Sequence, residues 1–124
     1  MPPVRIVLVE DNEVFRDALE LLLGMRPDVE VVASVGDGTA AVEAAIEHRP
    51  DVVLMDYRLP ALDGIQATAQ VVASMPDVAV VALTASANAA EREALLEAGA
   101  VACLAKDQEL DEIVAAILQA AAVA

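Results

Sequence analysis

Five short apolar runs alternate along the chain with segments whose apolar residues recur three or four positions apart. Each run is too short for a helix and too continuous for a half-exposed strand, so it is typical of a parallel strand covered on both faces. The spacing in the intervening segments predicts helices with one buried face. The predicted strands are Val4 to Val9, Val29 to Ala33, Val52 to Met55, Val78 to Leu83 and Val101 to Leu104.

Prolines and glycines mark the joints between these elements. The triplet Pro-Asp-Val occurs at residues 27–29, 50–52 and 76–78, and it predicts a helix-to-strand joint because proline interrupts a helix. Repeated strand–helix units with right-handed crossovers give a parallel sheet with helices on both faces. The chain is too short for a barrel. We therefore predict one α/β domain over residues 1–124, a flavodoxin-like doubly wound sheet of five strands in the order 2-1-3-4-5 with five helices.

Composition excludes several classes of protein. The chain has 124 residues, 58 % hydrophobic, and a formal charge of −14, which indicates a folded core rather than disorder. Such a charge, with few aromatic residues, argues against direct nucleic-acid binding. The run from Val4 to Val9 is too short to span a membrane. The single cysteine, Cys103, fits a reducing compartment, so we expect a cytoplasmic protein.

Polar residues follow the predicted strands where a site is expected. In an open parallel sheet, ligands bind beyond the carboxyl ends of the strands, here between the first and third strands. Glu10 and Asp11 follow the first strand, Asp56 the third, Thr84 the fourth and Lys106 the fifth. These side chains are therefore expected to converge at one edge of the sheet.

This set of side chains suits phosphoryl transfer. Three neighbouring carboxylates repel one another unless cations intervene, and oxygen ligands of this kind suit Mg²⁺. Lys106 and Thr84 would bind the remaining phosphoryl oxygens, and aspartyl phosphate is a known type of covalent intermediate. Asp56 stands alone at the end of the central strand, so it is the predicted nucleophile.

In order along the chain, these motifs resemble the receiver domain of two-component response regulators. The pair Lys106-Asp107 is similar to the subfamily that carries a C-terminal helix-turn-helix output domain, which these 124 residues do not contain. The matching segments are residues 6–12, 52–60, 63–64, 83–85, 99–100 and 105–106.

The resemblance implies a sensor histidine kinase as the partner that phosphorylates Asp56. It implies that Asp11, Asp56 and the backbone carbonyl of Arg58 ligate Mg²⁺ directly, while Glu10 helps through water. Apart from its own phosphorylation and autodephosphorylation, such a domain is not expected to be an enzyme.

The resemblance also implies how the signal leaves the site. Lys106 pairs with the phosphoryl group, and Thr84 moves toward it. This movement switches the surface formed by helix 4, strand 5 and helix 5, and so controls transcription through the output domain.

Two positions depart from the family pattern, and two others lie where the family varies its kinetics. Cys103 stands where the family usually has an aromatic residue that moves with Thr84, so we expect the readout to depend more on backbone shifts. Asp107 replaces a common proline. Arg58 and Ser86 occupy positions where the family tunes the lifetime of the phosphoryl group.

Other functions remain open. A haloacid-dehalogenase-like Mg²⁺-dependent phosphatase also uses an aspartyl phosphate, but it needs a second acid where this chain has Arg58. A flavin-binding protein would need a phosphate-binding loop where this chain has Glu10-Asp11-Asn12. A degenerate receiver that works without phosphate is the third alternative, because Cys103 is unusual.

The last predicted helix is apolar on most sides. Between Ile113 and Ala124 the only polar side chain is Gln119. Such a helix needs a second partner, which predicts a homodimer or docking surface that uses helix 5, with helix 1 or strand 5. The alternative is a frayed, alanine-rich tail.

Overall fold

Strands and helices alternate along the chain. The computed structural model describes residues 2–85 and 88–123. The strands are β1 (Val4–Val9), β2 (Val29–Val35), β3 (Val52–Asp56), β4 (Ala79–Thr84) and β5 (Ala102–Ala105). The helices are α1 (Glu13–Gly24), α2 (Gly38–His48), α3 (Gly64–Ser74), α4 (Ala89–Ala98) and α5 (Leu110–Val123).

All five strands are parallel and lie in the order β2-β1-β3-β4-β5. This order confirms the predicted doubly wound topology. In register, Asp56 lies beside Leu83 and Thr84 lies beside Ala105. The carboxyl ends of the four strands β1, β3, β4 and β5 therefore meet at one edge of the sheet.

Alternate strand residues form two separate cores. Ile6 and Leu8 of β1 face the layer of α1 and α5, whereas Val7 and Val9 face the layer of α2, α3 and α4. These strand residues are almost completely buried. This double coverage explains why the strands read as continuous apolar runs rather than as alternating ones.

The predicted boundaries differ from the structure at four strands. β3 ends one residue later than predicted, at Asp56, and β4 is shifted by one residue to Ala79–Thr84. β2 continues to Val35 because it pairs with β1 as far as Val9. β5 begins at Ala102, and the preceding Val101 is half exposed. Gly99 ends α4 with a φ of 118° that other residues rarely adopt.

The sequence pattern predicts that Ala116, Leu118 and residues 120–123 of the last helix are poorly covered, which is wrong for Leu118, Ala120 and Ala121. Leu118 packs against the core beneath α1 and α5, and Ala120 is buried in it. The exposed positions carry Ala115, Gln119 and Ala122, which offer little apolar area. The homodimer through α5 therefore stays a prediction, with less surface to support it. No helix among residues 2–85 and 88–123 has the length and apolar character to cross a membrane.

Gly38 and Gly24 provide a matched pair for testing the packing. A Cβ at Gly38 would overlap the backbone oxygen of Leu62 and lie 2.7 Å from its Cβ. We expect Gly38→Ala to lower the free energy of unfolding by about 2 kcal/mol, because the Leu62 backbone in the loop before α3 must shift to make room for the methyl group. Gly24 has no heavy atom within 4 Å of such a Cβ, so Gly24→Ala should stabilise α1 by up to about 1 kcal/mol. Urea unfolding of both variants checks this, and equal shifts in the same direction would contradict it.

Candidate functional site

A hollow of about 520 Å³ lies at the carboxyl edge of the sheet. The strand ends form its floor, and the loops that follow β1, β3 and β4 form its walls. All six residues predicted for the site line this hollow. The lining residues are Glu10, Asp11, Asn12, Asp56, Arg58, Thr84, Ala85 and Lys106.

Three carboxylates converge within the hollow. Glu10 and Asp56 are only 2 % and 5 % exposed, whereas Asp11 is exposed. One carboxylate oxygen from each residue lies within 4.8 Å of the other two. An all-oxygen set of this kind suits Mg²⁺, which prefers a few carboxylates together with water. Among the described residues, these three could hold a divalent cation.

Lys106 supplies the positive charge closest to the acids. Its Nζ lies 2.5 Å from Glu10 Oε1 and 3.1 Å from Asp56 Oδ2. Partial burial lowers the pKa of the Lys106 ammonium, but the hydrogen bond to Glu10 and the charge of Asp56 outweigh it, so the pKa is raised. Lys106 therefore remains charged at neutral pH, and one ammonium faces three carboxylates.

Backbone amides fix the two buried acids. Glu10 Oε2 accepts a hydrogen bond from the Asn12 amide at 3.0 Å. Asp56 Oδ1 accepts one from the Tyr57 amide at 2.7 Å. Both oxygens of each buried carboxylate therefore have a partner, since Lys106 binds the remaining two. This arrangement satisfies groups that would otherwise be costly to bury.

Thr84 and Arg58 also line the hollow. Thr84 is buried at the end of β4, and its carbonyl accepts the Lys106 amide at 2.8 Å. This bond ties the end of β4 to the start of the loop that carries the lysine. Arg58 is exposed, two residues beyond Asp56. No second acid occupies that position.

Arg16 supports the site, although the sequence pattern predicted no role for it. Its Nη1 donates a hydrogen bond to the Glu10 carbonyl at 2.8 Å. The same nitrogen would lie 2.6 Å from a Cβ at Gly36, so the guanidinium occupies a tight gap. A charged residue one turn after the Asn12 N-cap was the available signal, but its direction depends on the packing of α1.

Cys103 is part of the protein interior rather than of the hollow. It packs with the core beneath α2, α3 and α4. Burial raises the pKa of its thiol, although the nearby Arg92 lowers it. The thiol is therefore protonated and inert at neutral pH. Ser86, which is predicted to tune the lifetime of the phosphoryl group, lies outside the described residues.

Comparison with known proteins gives a consistent result. The family model described as the response regulator receiver domain matches residues 6–118. The transcriptional regulatory protein DegU of Brevibacillus brevis is 34 % identical over 114 residues, which is 92 % of this chain and 48 % of DegU. LiaR of Bacillus subtilis is 36 % identical over 114 residues, covering 92 % of this chain and 54 % of LiaR. The chain thus spans about half the length of these curated relatives.

Solved structures show the same likeness. The signal receiver domain of NarL from Mycobacterium tuberculosis has a TM-score of 0.92 and 36 % identity, with 98 % of each chain covered. The response regulator domain of CheB from Thermotoga maritima has a TM-score of 0.88 and 31 % identity, again with 98 % of each chain covered.

Proposed function

Because the chain belongs to the response regulator receiver domain family, we propose that it is a phosphorylation-dependent switch in which Asp56 accepts a phosphoryl group from a sensor histidine kinase. The observation that carries this proposal is the convergence of three carboxylates and Lys106 in one hollow at the sheet edge. A buried carboxylate next to a charged lysine is arranged to receive a group whose oxygens are negative.

In the proposed step, one carboxylate oxygen of Asp56 attacks the phosphorus of the phosphohistidine. A P–O bond forms to Asp56 as the P–N bond breaks, and the donor imidazole keeps the electron pair and takes up a proton. Lys106 needs little movement to bind a phosphoryl oxygen, since its Nζ already contacts Asp56. The Tyr57 amide holds the carboxylate in place.

The chemistry of the donor set supports a Mg²⁺ site. Asp11, Asp56 and the backbone carbonyl of Arg58 would hold the ion directly. Glu10 would act through water, as the resemblance to receiver domains implies. When bound, the ion supplies positive charge that offsets the carboxylates and the phosphoryl oxygens.

We propose that the signal leaves the site through Thr84 and α4. Thr84 ends β4 in the hollow and is bonded to the Lys106 amide, so a displacement there reaches both neighbouring loops. Control of transcription is proposed from the names of DegU and LiaR. It requires an output domain, since this chain matches only about half of each.

Incubation with acetyl phosphate tests the proposal directly. With Mg²⁺ present, the intact mass should rise by one phosphoryl group, about 80 Da, and EDTA should suppress the gain at least tenfold. A peptide map should place the group on Asp56. Absence of any mass gain would contradict the switch. Hydrolysis of stable phosphate monoesters over many turnovers, which autodephosphorylation does not explain, would instead favour the phosphatase alternative.

The donor kinase should dock on an apolar stripe of α1. Val14, Ala18, Leu21 and Met25, which we name the α1 stripe, lie on one side of the helix and are exposed. The stripe extends about 16 Å. It begins two residues after Asn12, which lines the hollow, so a protein that delivers a phosphoryl group to Asp56 must cover its first turn.

The charge around the α1 stripe specifies the chemistry of the partner. Glu13, Asp17 and Glu20 are exposed on the same helix. We therefore propose that the kinase presents a helix with an apolar face flanked by basic residues, since such charges both attract and orient the partner.

Leu21→Glu tests this docking surface. A charge in the α1 stripe should slow phosphoryl transfer from a kinase that phosphorylates the unaltered chain by about tenfold. Uptake from acetyl phosphate should stay unchanged, because Leu21 lies far along α1 from the hollow. Ile46→Glu, at an exposed apolar residue of α2, is the matched control and should affect neither donor. Equal transfer rates for both variants would contradict docking on α1.

A further inference from the structure

Phe15 is the only phenylalanine of the chain, and Lys106 is its only lysine. The Lys106 Nζ lies over the Phe15 ring, 4.8 Å from the ring centroid. The two residues are 91 positions apart and belong to α1 and to the loop after β5. We propose that Phe15 is a positioning residue that holds the Lys106 ammonium in place for phosphoryl transfer to Asp56, an inference that rests on the proposed function.

The ring itself is well anchored. The Phe15 amide donates to Asn12 Oδ1 at 3.0 Å as part of the N-terminal cap of α1. Its side chain is half buried and packs against the core beneath α1 and α5. Because both the backbone and the side chain of Phe15 are held in place, the ring can position the Lys106 ammonium that lies over its face.

The position of Lys106, the other partner in the contact, is also constrained. Lys106 has only 17 % of its side chain exposed. A small cavity of about 120 Å³ separates α1 from the start of α5, and Phe15, Lys106 and Gln108 line it. Gln108 in turn accepts a hydrogen bond from the Ala105 amide at 2.9 Å, which fixes the loop that carries the lysine.

The chemical advantage of a ring lies in what it leaves free. An ammonium has three N–H donors, and two of them are directed at Glu10 and Asp56. A ring face attracts the cation through its quadrupole and occupies no hydrogen-bond acceptor position. The ammonium is thus held without another acid, and its third donor stays available to an incoming phosphoryl oxygen.

The contact can be observed in the free protein before any phosphorylation. Because only one lysine is present, ε-¹³C-lysine labelling gives a single side-chain signal. Its ε-methylene protons should show an upfield ring-current shift in the unaltered protein and in Phe15→Tyr. Phe15→Leu, which keeps an apolar side chain but no ring, should lose the shift. Leu22→Ala, in a residue that lines the same cavity, should retain it.

Kinetics with acetyl phosphate and Mg²⁺ then test the role. Phe15→Leu should lower the rate of mass gain roughly fivefold, Phe15→Tyr should restore it, and Leu22→Ala should leave it unchanged. In a Lys106→Met background, Phe15→Leu should have no further effect, because its role acts through the lysine. Circular dichroism confirms that each variant is folded.

The outcomes separate this inference from the proposed function. An unaltered protein that gains mass at Asp56, with Phe15→Leu equally fast, overturns the role of Phe15 alone. Absence of the ring-current shift does the same. An unaltered protein that gains no mass overturns the proposed function and this inference with it.

Discussion

Replacement of Asp56 by asparagine is expected to abolish phosphoryl uptake and, at the same time, to stabilise the fold. The amide is not a nucleophile toward phosphorus, so the rate of mass gain with acetyl phosphate should fall by roughly a thousandfold or more. The remaining carboxylates, Glu10 and Asp11, keep their places but do not lie at the end of β3.

The gain in stability follows from the charge balance of the hollow. Asp56 is almost fully buried beside two other acids. Asparagine has the same shape, and its oxygen can still accept the Tyr57 amide hydrogen bond. Lys106 retains its ion pair with Glu10. Because one of three mutually repelling charges is removed, the free energy of unfolding should rise by about 1 kcal/mol.

Asp77→Asn is the matched control for Asp56→Asn. Asp77 is exposed and remote from the hollow, and its replacement removes the same charge from a chain whose net charge is −14. It should leave phosphoryl uptake intact and change stability by only a few tenths of a kcal/mol. Urea unfolding in EDTA measures the stabilities. An Asp56→Asn variant less stable than the unaltered protein would contradict the proposed repulsion.

The residues of this site can largely be predicted from the sequence, although their repulsion lowers the stability of the fold. The reason is the way in which parallel sheets are built. Each strand is recognised as a buried apolar run, and the residue that follows it must lie at the carboxyl edge of the sheet. Glu10, Asp56, Thr84 and Lys106 were therefore placed together by strand order alone. The structure brings these four side chains into one hollow.

The contacts that the sequence did not predict all depend on how helices rotate against the sheet. Arg16 reaches the Glu10 carbonyl and Phe15 reaches Lys106 only because α1 presents one particular side to the loops. A helical repeat identifies the buried face within about one residue, which is too coarse to say which side chain touches a given atom. The same limit explains the error over Leu118, Ala120 and Ala121 of α5, which belong to the core that this helix shares with α1 and the sheet.

Lys106→Met is expected to act on stability in the opposite direction from Asp56→Asn. Methionine keeps an unbranched apolar chain over Phe15, but it leaves Glu10 and Asp56 buried without a cation. Removal of one partner from a buried ion pair typically costs 3–5 kcal/mol. Because Asp11 is exposed and the hollow is open to water, we expect the lower end, about 3 kcal/mol in EDTA. Phosphoryl uptake should fall about a hundredfold, because the phosphoryl oxygens lose their ammonium.

A double-mutant cycle identifies the cause of this loss. If the uncompensated carboxylates destabilise Lys106→Met, then adding Asp56→Asn should restore stability by more than the same change gives in the unaltered protein. The expected difference is about 1–2 kcal/mol, since the residues are in direct contact. Two effects that simply add would show that methionine destabilises the fold through packing alone. Adding Asp77→Asn instead should restore nothing, because that charge lies outside the hollow.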